Sequence, residues 1–261
     1  WGHMSDRIPL IHQKSAQVEE EFFDRTAKSS TGKAEQIDLD RPLEHMPALI
    51  FERLGSLEGK RVLDIGAGTG EYSVHFARRG ASVVAVDLSP EMCAIARSLA
   101  ERYCVAGRVE IRQGTLETVG LLPESFDGIF GNAILHHLNL DRDVPCLVSL
   151  LKKGGFFVFA EPLRHNPVAN LYRYLTPHWH TPGERPLGFE DIENMRRFFS
   201  RLSYSNFYLI SHIRILVRQL LRSERLSRAV FEALFPVDEF ILRLFPGVRK
   251  YCCYTLIYSE K

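Results

Sequence analysis

The sequence RVLDIGAGTGEYSVHFARRGASVVAVD, residues 61–87, decides the fold of this chain. Its apolar run Arg61–Ile65 leads into a glycine-rich turn, and apolar residues then recur at helical spacing across Glu71–Arg79. A second apolar run, Ala81–Val86, ends at Asp87. Continuous apolar runs of this length are typical of buried parallel strands. The pattern therefore predicts strand, turn, helix and strand in a doubly wound α/β sheet.

The turn between these elements also indicates what binds there, because ligands of open α/β sheets lie at the carboxyl ends of the strands. Glycines occupy alternate positions across Gly66–Gly70, whereas a dinucleotide fingerprint has its third glycine where this chain has Glu71. Asp64 would repel a pyrophosphate at the helix N-terminus but suits an ammonium group. Asp87 is placed to accept hydrogen bonds from ribose hydroxyls. Both acids fit a nucleoside with a cationic tail.

The motifs VLDIGAGTG and VVAVDLSPEM are similar to those of the class I S-adenosylmethionine-dependent methyltransferases. SFDGIFGNAILHHL at Ser125–Leu138 resembles the family's fourth-strand motif, and LLKKGGFFVFAEP at Leu150–Pro162 resembles its fifth-strand motif. The resemblance covers about residues 61–162, in order and at the family's spacing. It implies a Rossmann-like fold with a mostly parallel, seven-stranded sheet. It also implies S-adenosylmethionine as cofactor, S-adenosylhomocysteine as product, and the small-molecule branch that includes ubiquinone, menaquinone and natural-product enzymes.

The cofactor contacts implied by the resemblance follow the first four strands. Asp64 is expected near the amino-acid tail and Asp87 at the ribose, while Met92 either reaches the adenine or belongs to the core. Many relatives carry an acid where Thr115 stands, so the Thr115 hydroxyl, the backbone after it or Glu117 must replace that acid. The predicted cofactor-binding residues are Asp64, Gly66, Ala67, Gly68, Gly70, Asp87, Leu88, Met92, Gly114, Thr115, Leu116 and Asn132.

The segment Glu161–Phe189, EPLRHNPVANLYRYLTPHWHTPGERPLGF, follows strand five. A loop of this length in a compact domain is usually functional, so it is expected to border the acceptor site. His165 and Glu161 are predicted to act as general base and orienting carboxylate, since a hydroxyl acceptor must lose a proton near neutral pH. In the alternative interpretation, both residues only stabilise the turn around Pro162 and Pro167.

A double histidine, His136 and His137, follows strand four. His137 is the second candidate proton acceptor because the second member of this pair faces the substrate in similar enzymes; alternatively, one imidazole caps a buried carbonyl. No metal is predicted, because no cysteine or carboxylate stands at ligand spacing beside His178 and His180. The residues expected to contact the acceptor are His136, Asn166, Tyr172 and His180.

Four segments are predicted along the chain. They are an N-terminal helical or lid segment at 1–57, a cofactor-binding core at 58–160, a substrate loop at 161–190, and the rest of the sheet at 191–261 with a helical cap insertion at 211–250. Helix Asp141–Leu151 is expected to end at Gly154, with Lys152 and Lys153 complementing its dipole. The later strands are placed at Gly155–Ala160, Tyr204–Ile210 and Tyr251–Ser259.

The insertion at 211–250 begins with an amphipathic, basic helix. Its apolar stripe contains Ile213, Leu216, Val217, Leu220 and Leu221, and Arg214, Arg218, Arg222, Arg225 and Arg228 line much of the rest. Two further apolar patches are expected to be broken by Pro236 and Pro246. The insertion is interpreted as a cap that buries its stripe on the chain's own domain; a homodimer contact and a peripheral membrane contact through 211–228 are the alternatives.

Composition limits the other partners and the compartment. The formal net charge is +1, so no overall field favours nucleic acid or a membrane surface. No stretch has the length and apolarity of a membrane span, and no signal peptide is visible. Five cysteines show neither metal-ligand nor disulfide-framework spacing, which predicts a reduced, cytoplasmic protein.

The function predicted from these observations is methyl transfer from S-adenosylmethionine to the oxygen, nitrogen or carbon of a small, hydrophobic or aromatic acceptor. A sulfonium methyl is already electrophilic, so such an enzyme mainly aligns the reactants and excludes water. The alternatives are a lipid or sugar headgroup as acceptor and a catalytically idle cofactor-binding module. A nicotinamide oxidoreductase is disfavoured by the glycine spacing and by Asp64.

Overall fold

A computed structural model of the chain describes residues 18–25, 37–40, 43–177, 180–181 and 185–261. The helices are α1 (18–25), α2 (His45–Leu54), α3 (Glu71–Arg78), α4 (Pro90–Arg102), α5 (Leu140–Leu150), α6 (Pro167–Leu175), α7 (Phe189–Met195), α8 (Arg214–Leu221) and α9 (Glu224–Leu244). The strands are β1 (Arg61–Ile65), β2 (Ser82–Asp87), β3 (Val109–Gln113), β4 (Phe126–Asn132), β5 (Leu151–Pro162), β6 (Arg201–Phe207) and β7 (Tyr254–Glu260).

Within the described residues, these strands form one seven-stranded sheet in the order β3-β2-β1-β4-β5-β7-β6. Strand β2 pairs in parallel with β1 and β3, and β7 runs antiparallel to both β5 and β6. The predicted Rossmann-like, mostly parallel sheet is confirmed. The chain divides into two compact units, the first ending at Ile129 and the second beginning at Phe130. The four-part division by function remains a prediction.

The first unit follows the local sequence pattern closely. Strands β1 and β2 begin and end within one residue of their predicted bounds, because their continuous apolar runs are buried on both faces. Ser89 accepts a hydrogen bond from the Met92 amide at 3.1 Å and Pro90 opens α4, as the capping pattern predicts.

The second unit departs from the predicted element bounds at β5. Helix α5 ends at Leu150, and Lys152, Lys153 and Gly154 lie in the strand, so their predicted role at the helix end is wrong. The reason is pairing with the far end of the chain: the Gly154 amide donates to the Lys261 carbonyl at 2.8 Å. Backbone bonds made over such a sequence distance leave no local pattern.

The predicted long loop after β5 is also wrong in part. Glu161 and Pro162 belong to β5, and α6 follows within a few residues. Asn166 caps this helix by accepting from the Ala169 amide at 2.8 Å, and Pro167 stands at its first position. This capping pair is the same start signal that the sequence shows at α4.

The predicted helical insertion between β6 and β7 is confirmed as α8 and α9. Pro236 does not interrupt α9, contrary to expectation. Two residues later the fully buried Asp238 accepts the backbone N–H groups of Leu209, Ile210 and Ser211 at 2.8–3.1 Å, which anchors the helix across the proline. None of the described helices is long and apolar enough to cross a membrane.

The expected burial of the apolar stripe is wrong: none of its five residues is fully buried, and its first residue, Ile213, is exposed. Leu220 and Leu221 are exposed, and Leu216 and Val217 are only half-buried. The insertion therefore covers part of its apolar surface and leaves the remainder in solvent.

Candidate active site

The turn after β1 is attached to the end of β2. The amides of Gly66 and Ala67 both donate to the Val86 carbonyl, at 2.8 and 3.0 Å. Gly66, Gly68 and Gly70 have φ values of +66°, +53° and +79°. L side chains rarely adopt this left-handed region, so the turn requires its three glycines.

Two of these glycines serve different purposes. A Cβ atom on Gly68 would meet nothing within 4 Å, so the backbone there borders open space that a ligand can enter. A Cβ on Gly70 would lie 2.7 Å from the Cβ of Ala96 on α4. Gly70 therefore permits the close packing of α3 on α4, while Gly68 belongs to the binding surface.

Asp87 lies beside this open space at the end of β2. Its Oδ2 accepts from the Gly68 amide at 2.7 Å, and its Oδ1 accepts from the Ser89 amide at 2.9 Å. Burial raises the pKa of Asp87, and these two backbone donors act in the opposite direction. Each carboxylate oxygen still has an acceptor position for a ligand hydroxyl.

Asp64 is more enclosed than expected. Its side chain is only 2% exposed, and the Ser73 hydroxyl donates to its Oδ2 at 2.6 Å. Burial raises the pKa of Asp64 to about 7, and the charge of Asp87 adds to this shift while the Ser73 hydroxyl opposes it. The carboxyl group is therefore poised to change its charge near neutral pH, and a nearby cation would favour the ionised form.

The segment after β3 is folded back on itself. The Gly114 amide donates to the Asp87 carbonyl at 2.9 Å, and the Thr115 amide donates to the Thr118 hydroxyl at 2.8 Å. The Thr115 hydroxyl lies 3.3 Å from the same Thr118 oxygen, and Leu116 is buried. Thr115 thus stabilises the turn. The other predicted cofactor residues are half-buried Ala67, Leu88 and Met92 in the first unit and exposed Asn132 in the second.

In the second unit, a buried carboxylate and a histidine form a pair. Glu161 is fully buried, and its Oε2 lies 2.8 Å from Nδ1 of His136. Its Oε1 accepts the amides of Ile134 and Leu135 at 2.9 and 2.8 Å. Glu161 thus acts as acceptor to three N–H groups when His136 Nδ1 carries the proton. That tautomer has its lone pair on Nε2.

The backbone around His136 is held by β5. The Ala133 amide donates to the Ala160 carbonyl at 2.8 Å, and Ala133 has a φ of +55°. The His137 ring lies 4.2 Å from the His136 ring. The carboxylate of Glu161 therefore fixes the ring of His136 rather than that of His137.

The predicted pairing of Glu161 with His165 is wrong. His165 is exposed, and its ring stacks on Phe189 with centroids 5.9 Å apart. The two residues are four apart in sequence, but β5 ends at Pro162 and the chain then turns towards α6, so their side chains do not meet.

Asn166 is also placed differently from the prediction. It is fully buried, and its amide group donates to the carbonyls of Leu209 and Tyr251 at 2.9 and 2.8 Å while its oxygen caps α6. Its expected contact with the acceptor is therefore wrong. Tyr172 and His180 do lie together, with rings edge to face and centroids 6.0 Å apart. Their role at the acceptor remains a prediction, and His178 lies outside the described residues.

No group of three or more His, Cys, Asp or Glu side chains in the described part of the chain is arranged to hold a metal ion. All cysteines are free. Burial raises the pKa of Cys93 to about 11 and those of Cys252 and Cys253 to about 12, so these thiols are protonated and unreactive near neutral pH.

Several residues of the site were not predicted from the sequence. Ser73 is the hydrogen-bond partner of Asp64, and the Ser89 hydroxyl, besides capping α4, donates to Asp24 on α1. The His136–Glu161 pair could have been inferred, because His136 follows β4, Glu161 lies near the end of β5, and these two strands are neighbours in the sheet. The contact of α1 with Ser89 had no sequence signal.

Comparison with known proteins agrees with this geometry. A family profile described as a methyltransferase domain matches residues 62–155. The chain is 32% identical over 164 residues to the ubiquinone biosynthesis O-methyltransferase of Xanthomonas euvesicatoria pv. vesicatoria, a match that covers 60% of this chain and 67% of that protein. The chain belongs to the class I S-adenosylmethionine-dependent methyltransferases.

A second relative of this methyltransferase chain is the mitochondrial ubiquinone biosynthesis O-methyltransferase of Schizosaccharomyces pombe. The two are 39% identical over 105 residues, which cover 40% of this chain and 37% of the yeast protein. Across the curated relatives considered, the matches span from 28% to 67% of the relative's length. The chain thus spans about half the length of most of the curated relatives it matches.

Solved structures with the same fold include enzymes of different activities. Phosphoethanolamine N-methyltransferase 2 of Haemonchus contortus aligns with a TM-score of 0.63 at 21% identity, over 93% of this methyltransferase chain and 59% of the nematode chain. The [4+2]-cyclase SpnF aligns with a TM-score of 0.64 at 18% identity, over 95% and 96% of the two chains. Since these neighbours differ in the reaction named, the fold alone does not decide the chemistry.

Proposed function

We propose that this methyltransferase transfers the methyl group of S-adenosylmethionine to a hydroxyl oxygen of a small, apolar acceptor in the cytoplasm. The observation that carries the proposal is the buried pair of His136 and Glu161. A hydroxyl is a poor nucleophile until it loses its proton, so O-methylation benefits from a general base, and a carboxylate-oriented imidazole supplies one. The names of the curated relatives support the same chemistry.

The residues of the first unit fit the cofactor. Gly68 leaves open space beside its backbone, and Asp87 keeps acceptor positions for the two ribose hydroxyls. Asp64 would provide a negative charge when ionised, which favours an ammonium group. Bound S-adenosylmethionine supplies a methyl group that is already activated by its sulfonium. The protein therefore has to bind and orient the two reactants and deprotonate the acceptor.

The residues of the second unit fit the proton transfer. His136 would accept the proton of the acceptor hydroxyl at Nε2 while the acceptor oxygen takes up the methyl group that bound S-adenosylmethionine would supply. The positive charge that develops on the imidazole is then balanced by Glu161, which holds Nδ1–H at 2.8 Å. Glu161 acts here as a positioning residue, because it touches His136 and not the acceptor.

The proposal is tested with purified protein, labelled S-adenosylmethionine and a panel of phenols and catechols, with amines and activated ring carbons as competing acceptor classes. Methylated oxygen is the expected product. His136→Gln is expected to lower kcat by about 10²–10⁴, the usual contribution of general base catalysis, and to leave the Kd for S-adenosylmethionine unchanged. His165→Gln is the matched control, since this exposed histidine is expected to leave kcat unchanged.

The pH profile separates a chemical role of His136 from a structural one. In the native enzyme, kcat/KM is expected to rise with the deprotonation of the base, and this limb should disappear in His136→Gln. Unchanged turnover in His136→Gln would rule out the base assignment. Binding of S-adenosylmethionine without turnover of any acceptor would favour the alternative of a catalytically idle cofactor-binding module. If a lipid or sugar headgroup is the best substrate, the proposal of a small apolar acceptor is wrong.

A further inference from the structure

The turn between α8 and α9 exposes leucines among arginines. We call residues 218–228, RQLLRSERLSR, the arginine–leucine tip. Leu220 and Leu221 are 72% and 60% exposed, and Leu226 is also exposed. Exposed arginines stand at positions 218, 222, 225 and 228 of the same tip. Clusters of exposed leucines are uncommon on surfaces that face only water.

The exposed apolar surface continues along α9. Its members recur at alternate spacings of three and four residues, which places them on one side of the helix. They are Leu226, Val230, Ala233, Val237, Phe240 and Leu244, of which Val230 is half-buried and the others are exposed. Phe240 is 63% exposed, whereas Ser227, Asp238 and Leu242 on the inward side are buried. A helix of 21 residues is about 30 Å long, so the stripe is an extended surface.

The charges of this region favour an anionic partner. Residues 211–250 carry eight lysines or arginines and four acids, whereas the whole chain has a net charge of only +1. One of the acids, Asp238, is buried and bound to backbone N–H groups. In the tip, Glu224 is the only acid, and it lies 4.0 Å from Arg218.

We propose that the arginine–leucine tip and the α9 stripe dock on the surface of an anionic lipid bilayer. Leucine and phenylalanine side chains partition into the headgroup boundary, and arginines beside them bind lipid phosphates. A second copy of the chain is a poorer occupant, because a two-fold interface would bring the same arginines together. The proposal does not depend on the acceptor or on catalysis.

The test is sedimentation of the full chain with vesicles of phosphatidylcholine alone and of phosphatidylcholine mixed with phosphatidylglycerol. Binding is expected only to the anionic vesicles and should weaken as salt is added, because salt screens the arginines. Binding that is equal for both vesicle types, or absent for both, would overturn the proposal.

Paired variants identify the surface. Leu220→Gln with Leu221→Gln is expected to weaken binding at least about tenfold through the loss of apolar contact, and Arg222→Glu with Arg225→Glu by a similar factor through charge reversal. The matched control is Leu122→Gln, since Leu122 is 69% exposed in the first unit and should not affect binding. Equal losses in the leucine pair and in this control would contradict the assignment. The assignment would also be contradicted if the protein self-associates, does not bind vesicles, and loses its self-association in Phe240→Ser.

Discussion

Replacing Asp64 by asparagine should change stability and cofactor binding in opposite directions. Burial raises the pKa of Asp64 from 3.8 to about 7, so the folded state binds a proton that the unfolded state has released between these pH values. The free energy of unfolding contributed by this group therefore falls as pH rises from about 4 to about 7. A pKa shift of this size lowers the free energy of unfolding by about 4 kcal/mol once Asp64 is fully ionised.

Asparagine removes this titration while keeping an oxygen that accepts from the Ser73 hydroxyl. If the extra N–H group of asparagine lacks a hydrogen-bond partner, it lowers the free energy of unfolding by about 1–3 kcal/mol, but this loss does not depend on pH. The pH-dependent part is the useful quantity. From pH 5 to pH 8 the stability of Asp64→Asn relative to the native protein should rise by about 3 kcal/mol.

Urea denaturation at the two pH values measures this difference directly. Glu52→Gln on α2 is the matched control, because it makes the same chemical change at an exposed carboxylate. A difference for Asp64→Asn that stays constant between pH 5 and pH 8 would refute the reasoning.

The same carboxyl group should couple protons to cofactor binding. A cation near Asp64 favours its ionised form, so binding of S-adenosylmethionine near pH 7 should release up to about half a proton and tighten as pH rises. Calorimetry in buffers of different ionisation enthalpy measures the released protons. Asp64→Asn should abolish the release and weaken binding by about tenfold.

The remaining predictions concern backbone positions. Gly68→Ala should cost about 1–2 kcal/mol of stability for its left-handed backbone and strongly weaken cofactor binding, because its Cβ enters the open space. Gly70→Ala should cost about 2–4 kcal/mol, since the Cβ also collides with Ala96. Asp238→Ala should cost about 3 kcal/mol or more by leaving buried N–H groups without an acceptor, with Asp238→Asn less harmful. Urea denaturation and calorimetric titration measure these effects.

Two outcomes would contradict this set. Equal losses of stability in the two glycine variants would mean that Gly70 does not limit the packing of α3 on α4. A normal Kd for S-adenosylmethionine in Gly68→Ala would mean that the open space beside this backbone is not the cofactor site.

The first unit was predictable because its signals are local. Continuous apolar runs set β1 and β2, the glycines set the turn, and Ser89 with Pro90 sets the start of α4. Each of these depends on a few neighbouring residues and on backbone rules that hold in any protein. The predicted places of Asp64 and Asp87 at two strand ends followed from the same rules, although the enclosure of Asp64 by Ser73 did not.

Errors occurred where distant parts of the chain decide the structure. Strand β5 begins early because Gly154 bonds to Lys261. Helix α9 continues through Pro236 while Asp238 binds the backbone at Leu209 and Ile210. These hydrogen bonds join residues far apart in sequence. A nearby proline or glycine therefore does not predict where the strand begins or whether the helix continues.

The choice of base shows how the sheet topology could have corrected the prediction made from the sequence. Glu161 and His165, the predicted pair, are four residues apart, but that spacing brings side chains together only within a helix, and Glu161 lies near the end of a strand. At the ends of parallel strands, residues meet across neighbouring strands instead. Applied to β4 and β5, this rule selects the double histidine after β4, and the 2.8 Å contact selects His136 within it. The rule that placed Asp64 and Asp87 at the ends of two neighbouring strands therefore also points to His136, the base that we propose.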